Sequence, residues 1–397
     1  MAVRVERERV AAEEDRVGIA PELPPRLAQV GRLETETVTI NMGPHHPSTH
    51  GIFRLVVTLD GETVVDLEPK MGYLHRGIEK LMEGRTYVQS VPLVDRLDYV
   101  CPMTNEQAFC VAIEKLGGIE VPERAEYIRV IMAELTRIMS HILAVGFLWN
   151  ELGATFTPMI YAYRQREYLQ DLFEMASGAR MFHNYIRPGG VVGDLPAGWV
   201  GRAQQQVGVL ERFLDEFETL MSENEIFLAR TIDVGVLPPE VAINCSVSGP
   251  VLRASGVPYD IRRAEPYSVY DRFSWEVPTQ KHGDTHDRYV QYFDEMRQSL
   301  SIIRQALAGL PEGPVMNEKV RRLRLPAGEA YARIESPKGD LGFYIVSTGG
   351  AEPYRCRIRS TSQINITALK HMAIGQKIQD LVIIFGSMNP TVADIDR

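Results

Sequence analysis

The sequence predicts an α+β fold, with a central bundle of long helices flanked by β elements from both ends of the chain. Three observations predict it: a strand-and-hairpin pattern over residues 37–69, helical periodicity from about 104 onward, and strand patterning again after 329. TVTINMG (37–43) alternates like a strand. IFRLVVTL (52–59), Asp60-Gly61 and ETVVDLEP (62–69) read as a hairpin, because D-G suits a turn with φ > 0. Thr104 offers an N-cap with Gln107 completing a capping box, and Gly117-Gly118 stops that helix. Residues 123–152 carry apolar side chains at 128, 131, 132, 135, 138, 139, 142, 145, 149 and 152, which is one helix with a wide apolar stripe. Further helices are expected over 161–185, ending before Pro188-Gly189-Gly190, over 200–223, and over 286–308. EAYARIE (329–335), LGFYIVS (341–347) and YRCRIRS (354–360) read as strands between Gly/Pro turns, and DLVIIFGSMNP (380–390) as a buried strand. The expected organisation is a flexible tail or docking arm (1–34), an N-terminal β domain (35–103), a helical bundle (104–235), and a C-terminal helix with a β region that completes a cavity (236–397).

Composition narrows the function classes. The chain of 397 residues is 45% hydrophobic and 24% charged, and long enough for a large core. Its formal net charge of −9 and the lack of Lys/Arg blocks exclude a nucleic-acid footprint. No run of 18 or more apolar residues suggests a bilayer span. The acidic start, MAVRVERERVAAEEDRVGIA, resembles neither a secretory signal nor a transit peptide. Four dispersed cysteines, Cys101, Cys110, Cys245 and Cys356, form no C-x-x-C pair. Neither a zinc ribbon nor an iron–sulfur cradle is visible, so redox chemistry would need a borrowed electron carrier.

Two segments concentrate chemistry. GPHHPSTHG (43–51) places His45, His46 and His50 in a loop from which Pro44 and Pro47 bar a helix. Metal ligation, turn capping and acid/base work all remain open on the local sequence, although no metal-ligand spacing recurs nearby. VDRLDYVCP (94–102) sets Tyr99 beside Arg96 and Asp98. A core tyrosine usually buries its ring and gives its hydroxyl one partner. A Tyr and a His facing each other across an apolar cavity could instead bind the two oxygens of a quinone, each donating a hydrogen bond and each able to deliver a proton.

These segments, with MGYLHRGIEKLMEGRTY (71–87), EYIRVIMAELTRIMSH (126–141), HNYIRPGG (183–190), LRASG (252–256), ESPKGDLGFYIVS (335–347) and the terminal DIDR, resemble the family of D-type subunits of NADH:quinone oxidoreductase, respiratory complex I. The likeness runs over about residues 35–397. It implies a fold like that of nickel–iron hydrogenase large subunits and a quinone-reducing core component of a proton-translocating complex. It also implies partners: a protein holding the terminal 4Fe-4S cluster, a hydrophilic C-type partner, and a membrane-arm protein at the quinone entry. The implied location is peripheral, on the cytoplasmic face of the cell inner membrane. The motifs carry the quinone head-group roles to His50 and Tyr99. They carry the carboxylate that orients the histidine to Glu151, where this chain reads E-L-G-A against the family's D-x-G-A. Arg76 of LHRG matches an arginine near the partner's cluster. His45 and His46 are assigned to the turn.

Two departures from the family stand out. Phe182 occupies a position where the family often has a histidine that tunes the partner's cluster, which suits a low-potential quinone, menaquinone. The stretch between about Pro314 and Glu329 is shorter than the family's. A nickel site would need thiolates as R-x-C-G-x-C and D-P-C-x-x-C. Here Asp98 stands in the first pattern with only Cys101 remaining, and Asn389-Pro390-Thr391-Val392-Ala393-Asp394 carries no cysteine, so no metal is expected on this chain. A ferredoxin- or F420-linked relative of complex I and a non-catalytic scaffold protein are the alternative readings.

Overall fold

The computed structural model describes residues 36–44, 51–154, 157–318, 320 and 323–397. His45, His46 and His50 therefore lie outside the described residues. An N-terminal antiparallel sheet is ordered β1 (Thr37–Met42), β2 (Arg54–Asp60), β3 (Thr63–Lys70). Asp60 pairs with Thr63, so the tight turn centres on Gly61 and Glu62, with Gly61 at φ 60°. The inward residues of β2, Leu55, Val57 and Leu59, are buried, and Phe53 stacks on Phe385 at 5.2 Å.

Long helices follow: α1 (Pro102–Gly117), α2 (Glu123–Glu151), α3 (Thr157–Ser177), α4 (Trp199–Met221) and α5 (Thr285–Ala308). The C-terminal part forms a second antiparallel sheet, β4 (Ala327–Ser336), β5 (Gly339–Thr348), β6 (Arg355–Arg359), then α6 (Ile378–Ser387) and α7 (Val392–Asp396) among shorter helices. One core joins α2 to α3, α4 and α5; a second joins the N-terminal sheet to α6 and α7; a third joins α1 to the C-terminal sheet.

Three expectations are corrected. DLVIIFGSMNP is helical over Ile378–Ser387, not a strand. Leu381, Ile384, Phe385 and Met388 face the second core while Ile383 faces the first, so the segment is apolar on two sides and its period is invisible in sequence. The helix expected at 161–185 spans Thr157–Ser177, because Gly178 adopts φ 79° and ends it. α1 begins at Pro102 with Cys101 as N-cap, and Pro at the first turn fixes that start. Thr104 lies inside the helix, its hydroxyl donating to the Cys101 carbonyl at 2.8 Å.

α2 is long and apolar enough to cross a membrane, but 94% of its most apolar stretch is buried inside the protein. It also buries charges, and these are matched. Glu134 accepts from Arg262 at 3.0 Å, Arg137 at 3.2 Å, and the hydroxyls of Tyr270 and Ser299, both at 2.6 Å. Burial alone would raise the Glu134 pKa; the Arg137 and Arg262 guanidiniums outweigh it and hold it at about 2. His141 meets Glu295 at 3.0 Å, Glu295 accepts from Arg253 at 2.7 Å, and Arg253 donates to Glu335 at 2.7 Å. The chain of pairs ties α2 and α5 to β4. Replacing Glu134 with Ala takes a shared carboxylate from two buried guanidiniums and should cost about 3–5 kcal/mol. A guanidinium-unfolding midpoint within error of wild type would contradict this account of the core.

Candidate functional site

One cavity stands out by its lining, with a volume of about 240 Å³. Its first wall is a face of α2: Met139, Leu143, Phe147, Asn150 and Glu151 recur at spacings of three and four residues. The second is the segment entering α1, with Tyr99, Val100 and Pro102. Tyr163 and Arg166 project from α3, and Arg180, Met181 and His183 from the loop after it. Asn389, Pro390 and Thr391 close the space between α6 and α7. The lining is mostly carbon with a few converging polar groups, the usual makeup of a site for a small organic ligand. An apolar cavity of about 150 Å³ already holds benzene, so a substituted six-membered ring fits here.

Tyr99 and Glu151, singled out from separate segments, thus share one cavity. Burial pushes the Tyr99 phenol above its ordinary pKa, while the Lys338 ammonium works in the opposite sense. The phenol is therefore a neutral donor at neutral pH. Glu151 is the last residue of α2 and is half-buried rather than an exposed helix-end acid.

His50 itself is not described; the residue after it in the chain, Gly51, is. Gly51 has φ 137°, and a Cβ there would lie 2.9 Å from the Cβ of Val392. Gly51, the residue after His50 in the chain, therefore packs against α7, next to Thr391 in the cavity lining.

Among the described residues, Arg76 bonds to backbone carbonyls and not to a surface acid. It donates to the carbonyls of Arg96 and Ala393, tying the 71–77 loop to the Tyr99 segment and to α7. Phe182 adopts φ 55°, and the Arg96 guanidinium lies 4.5 Å above its ring centroid. The loop carrying Phe182 is held from below by two acids. Asp95 accepts from the Asn184 amide at 3.1 Å, and Glu106 from those of Tyr185 at 2.9 Å and Ile186. Burial, and then the Asp95 carboxyl, raise the Glu106 pKa. His183, packed on Phe173 at 4.9 Å, has its pKa pushed down to about 4 by burial.

Reasoning from sequence misses Tyr163, Arg166, Arg180, His183 and Asn389 in the lining. It also misses Lys338, which pairs at 2.7 Å with Asp98, the residue before Tyr99. For Lys338 a signal exists: it lies within the family-like stretch ESPKGDLGFYIVS, but a lysine in a P-K-G-D turn reads as solvated.

Comparison with known proteins identifies the family. The family described as "Respiratory-chain NADH dehydrogenase, 49 Kd subunit" matches residues 151–323 and 319–397, and the nickel-dependent hydrogenase family matches residues 76–147. The NADH-quinone oxidoreductase D-type subunit of Dehalococcoides mccartyi strain 195 is 55% identical over 365 residues, covering 92% of this chain and all of that protein. A D-type subunit of the same oxidoreductase from Roseiflexus sp. RS-1 is 54% identical, with the same coverage. Its counterpart from Carboxydothermus hydrogenoformans is 47% identical, again over 92% of this chain and all of its own length. On matches of this extent, the chain belongs to the family of the 49-kDa subunit of respiratory-chain NADH dehydrogenase.

Proposed function

We propose that this chain is the quinone-site component of a complex I-type membrane oxidoreductase, with NADH as the ultimate donor and proton translocation coupled to quinone reduction. The observation that carries the reading is the meeting of Tyr99 and Glu151 in one mostly apolar cavity, with Gly51, the residue after His50, packed on α7 beside it. The donor protein's 4Fe-4S cluster would supply electrons one at a time. Tyr99 donates a hydrogen bond and a proton to one quinone oxygen. His50 serves the other, and Glu151 orients His50 and favours its protonated form. The apolar faces of Met139, Leu143 and Phe147 hold the ring and exclude water. The complex would sit on the cytoplasmic face of the membrane, with a hydrophilic C-type partner and a membrane-arm protein beside the quinone entry.

The face with Arg76, Arg96 and Phe182, brought together from three segments, is the surface proposed to face the partner's cluster. Positive charge there favours the reduced cluster. Phe182 cannot titrate, and His183 next to it stays neutral down to about pH 4. Neither takes up a proton between pH 6 and 8, which suits a cluster of low, pH-independent potential and a menaquinone acceptor.

Two measurements test this. In the assembled complex, Tyr99→Phe should lower quinone reduction about a hundredfold, and Glu151→Gln about tenfold; wild-type turnover in both would remove the proposal. Redox titration of the partner's cluster between pH 6 and 8 should give a nearly flat potential. A slope approaching about 59 mV per pH unit would exclude the assignment of Phe182.

A further inference from the structure

Lys338 lies in the turn between β4 and β5, yet it is 3% exposed. Its Nζ is 2.7 Å from Asp98 Oδ2 and also donates to Thr391 Oγ1, and that hydroxyl donates to Asp98 Oδ1 at 3.0 Å. Asp98 precedes Tyr99 in the chain, and Thr391 lines the cavity. The turn is locked. Its Gly339 has φ 127°, and a Cβ there would lie 2.5 Å from Ser248 Oγ. A Cβ on Gly249 would lie 2.3 Å from the Lys338 carbonyl oxygen. Asn365 donates to that carbonyl at 3.2 Å, and Arg137 clamps the carbonyls of Glu335 at 2.7 Å and Ser336 at 2.9 Å. A buried ammonium costs desolvation, and a turn this constrained is not placed there by accident of packing.

The surroundings give it a meaning. Asp98, Cys101, Thr391 and Asp394 stand where the hydrogenase patterns R-x-C-G-x-C and D-P-C-x-x-C would carry thiolates, and they come from two distant stretches of chain. Here two of the four bond or pair with the same nitrogen, and the other two interact with it electrostatically. We propose that the Lys338 ammonium, held in the place of a metal ion, is a positioning residue that supplies the fixed positive charge under Tyr99 during quinone reduction. This rests on the quinone reading above.

The step it serves conserves atoms and electrons. Two electrons arrive from the partner's iron–sulfur cluster. The Tyr99 O–H bond breaks as its proton forms an O–H bond on one quinone oxygen, and the N–H bond of the protonated His50 proposed above breaks as its proton forms an O–H bond on the other. Tyr99 is left as a phenolate until a proton from water in the cavity restores it. A nearby cation lowers the cost of that phenolate. Other charged or titratable groups act on the same place. Asp98 and Tyr163 oppose the phenolate, Arg76 supports it, and Cys101 and Asp394 face Lys338. Burial works against the Lys338 charge, but Asp98 outweighs it and keeps the ammonium protonated at neutral pH.

The test uses the assembled complex. Lys338→Met alone strands the Asp98 charge and could prevent folding, so it is paired with Asp98→Asn, and Lys338→Arg serves as the conservative control. The neutral pair should lower kcat for quinone reduction about tenfold with KM little changed, and move the alkaline limb of the pH profile upward. The infrared C–O band of Tyr99, isolated as the difference between wild-type and Tyr99→Phe complexes, should show the same upward movement of its ionisation. Lys338→Arg should restore most of kcat. If Tyr99→Phe abolishes turnover while the neutral pair keeps wild-type kcat and pH profile, the Lys338 assignment falls and the quinone reading stands. If Tyr99→Phe itself turns over normally, the quinone reading falls and Lys338 with it.

Discussion

The structure depends on matching every charge that the 29-residue helix α2 carries into the interior. A helix this buried cannot leave Arg129, Glu134, Arg137 or His141 to water. Each finds a partner: Arg129 on Glu114 at 2.6 Å, Glu134 on two guanidiniums, Arg137 on β4 carbonyls, His141 on Glu295. Those partners lie on α1, α5, β4 and the segment around 253–262. Satisfying the helix therefore fixes how the rest of the chain wraps around it. One-sided removal of such a pair is far more damaging than the net stability the pair contributes.

The same constraint builds the cavity. With one side of α2 tied to α5 and β4, the face with Met139, Leu143, Phe147 and Glu151 is left to line the open space beside Tyr99. Arg137 links the two sides through the β4–β5 turn: it holds the carbonyls of Glu335 and Ser336, and two residues later Lys338 meets Asp98. Scaffold and site are thus connected by covalent neighbours and short hydrogen bonds. Gly51 against Val392 makes a second connection, between the stretch entering β2 and the last helix.

Much of this is legible in the sequence where a physical period exists. The hairpin over 54–70, the strands of the second sheet and α2 follow from alternation, turn residues and a 3.6-residue stripe. α6 is not legible, because Ile383 and Ile384 point into different cores and no polar face remains to mark a helix. The end of α3 hides in one glycine. In the site, Tyr99 and Glu151 are found through family motifs, and their shared cavity cannot be read from spacing. Lys338, Arg166 and Asn389 are invisible for another reason. Each reaches the cavity region only through contacts between distant stretches of chain.

The central claim is that a quinone ring is gripped by Tyr99 on one side and His50 on the other. The most direct test is a structure of the assembled complex with a bound quinone analogue. The account predicts head-group oxygens within about 3 Å of the Tyr99 hydroxyl and of a His50 ring nitrogen, over the face of Met139 and Leu143. A head group bound elsewhere, with Tyr99 contacting only protein, would contradict it.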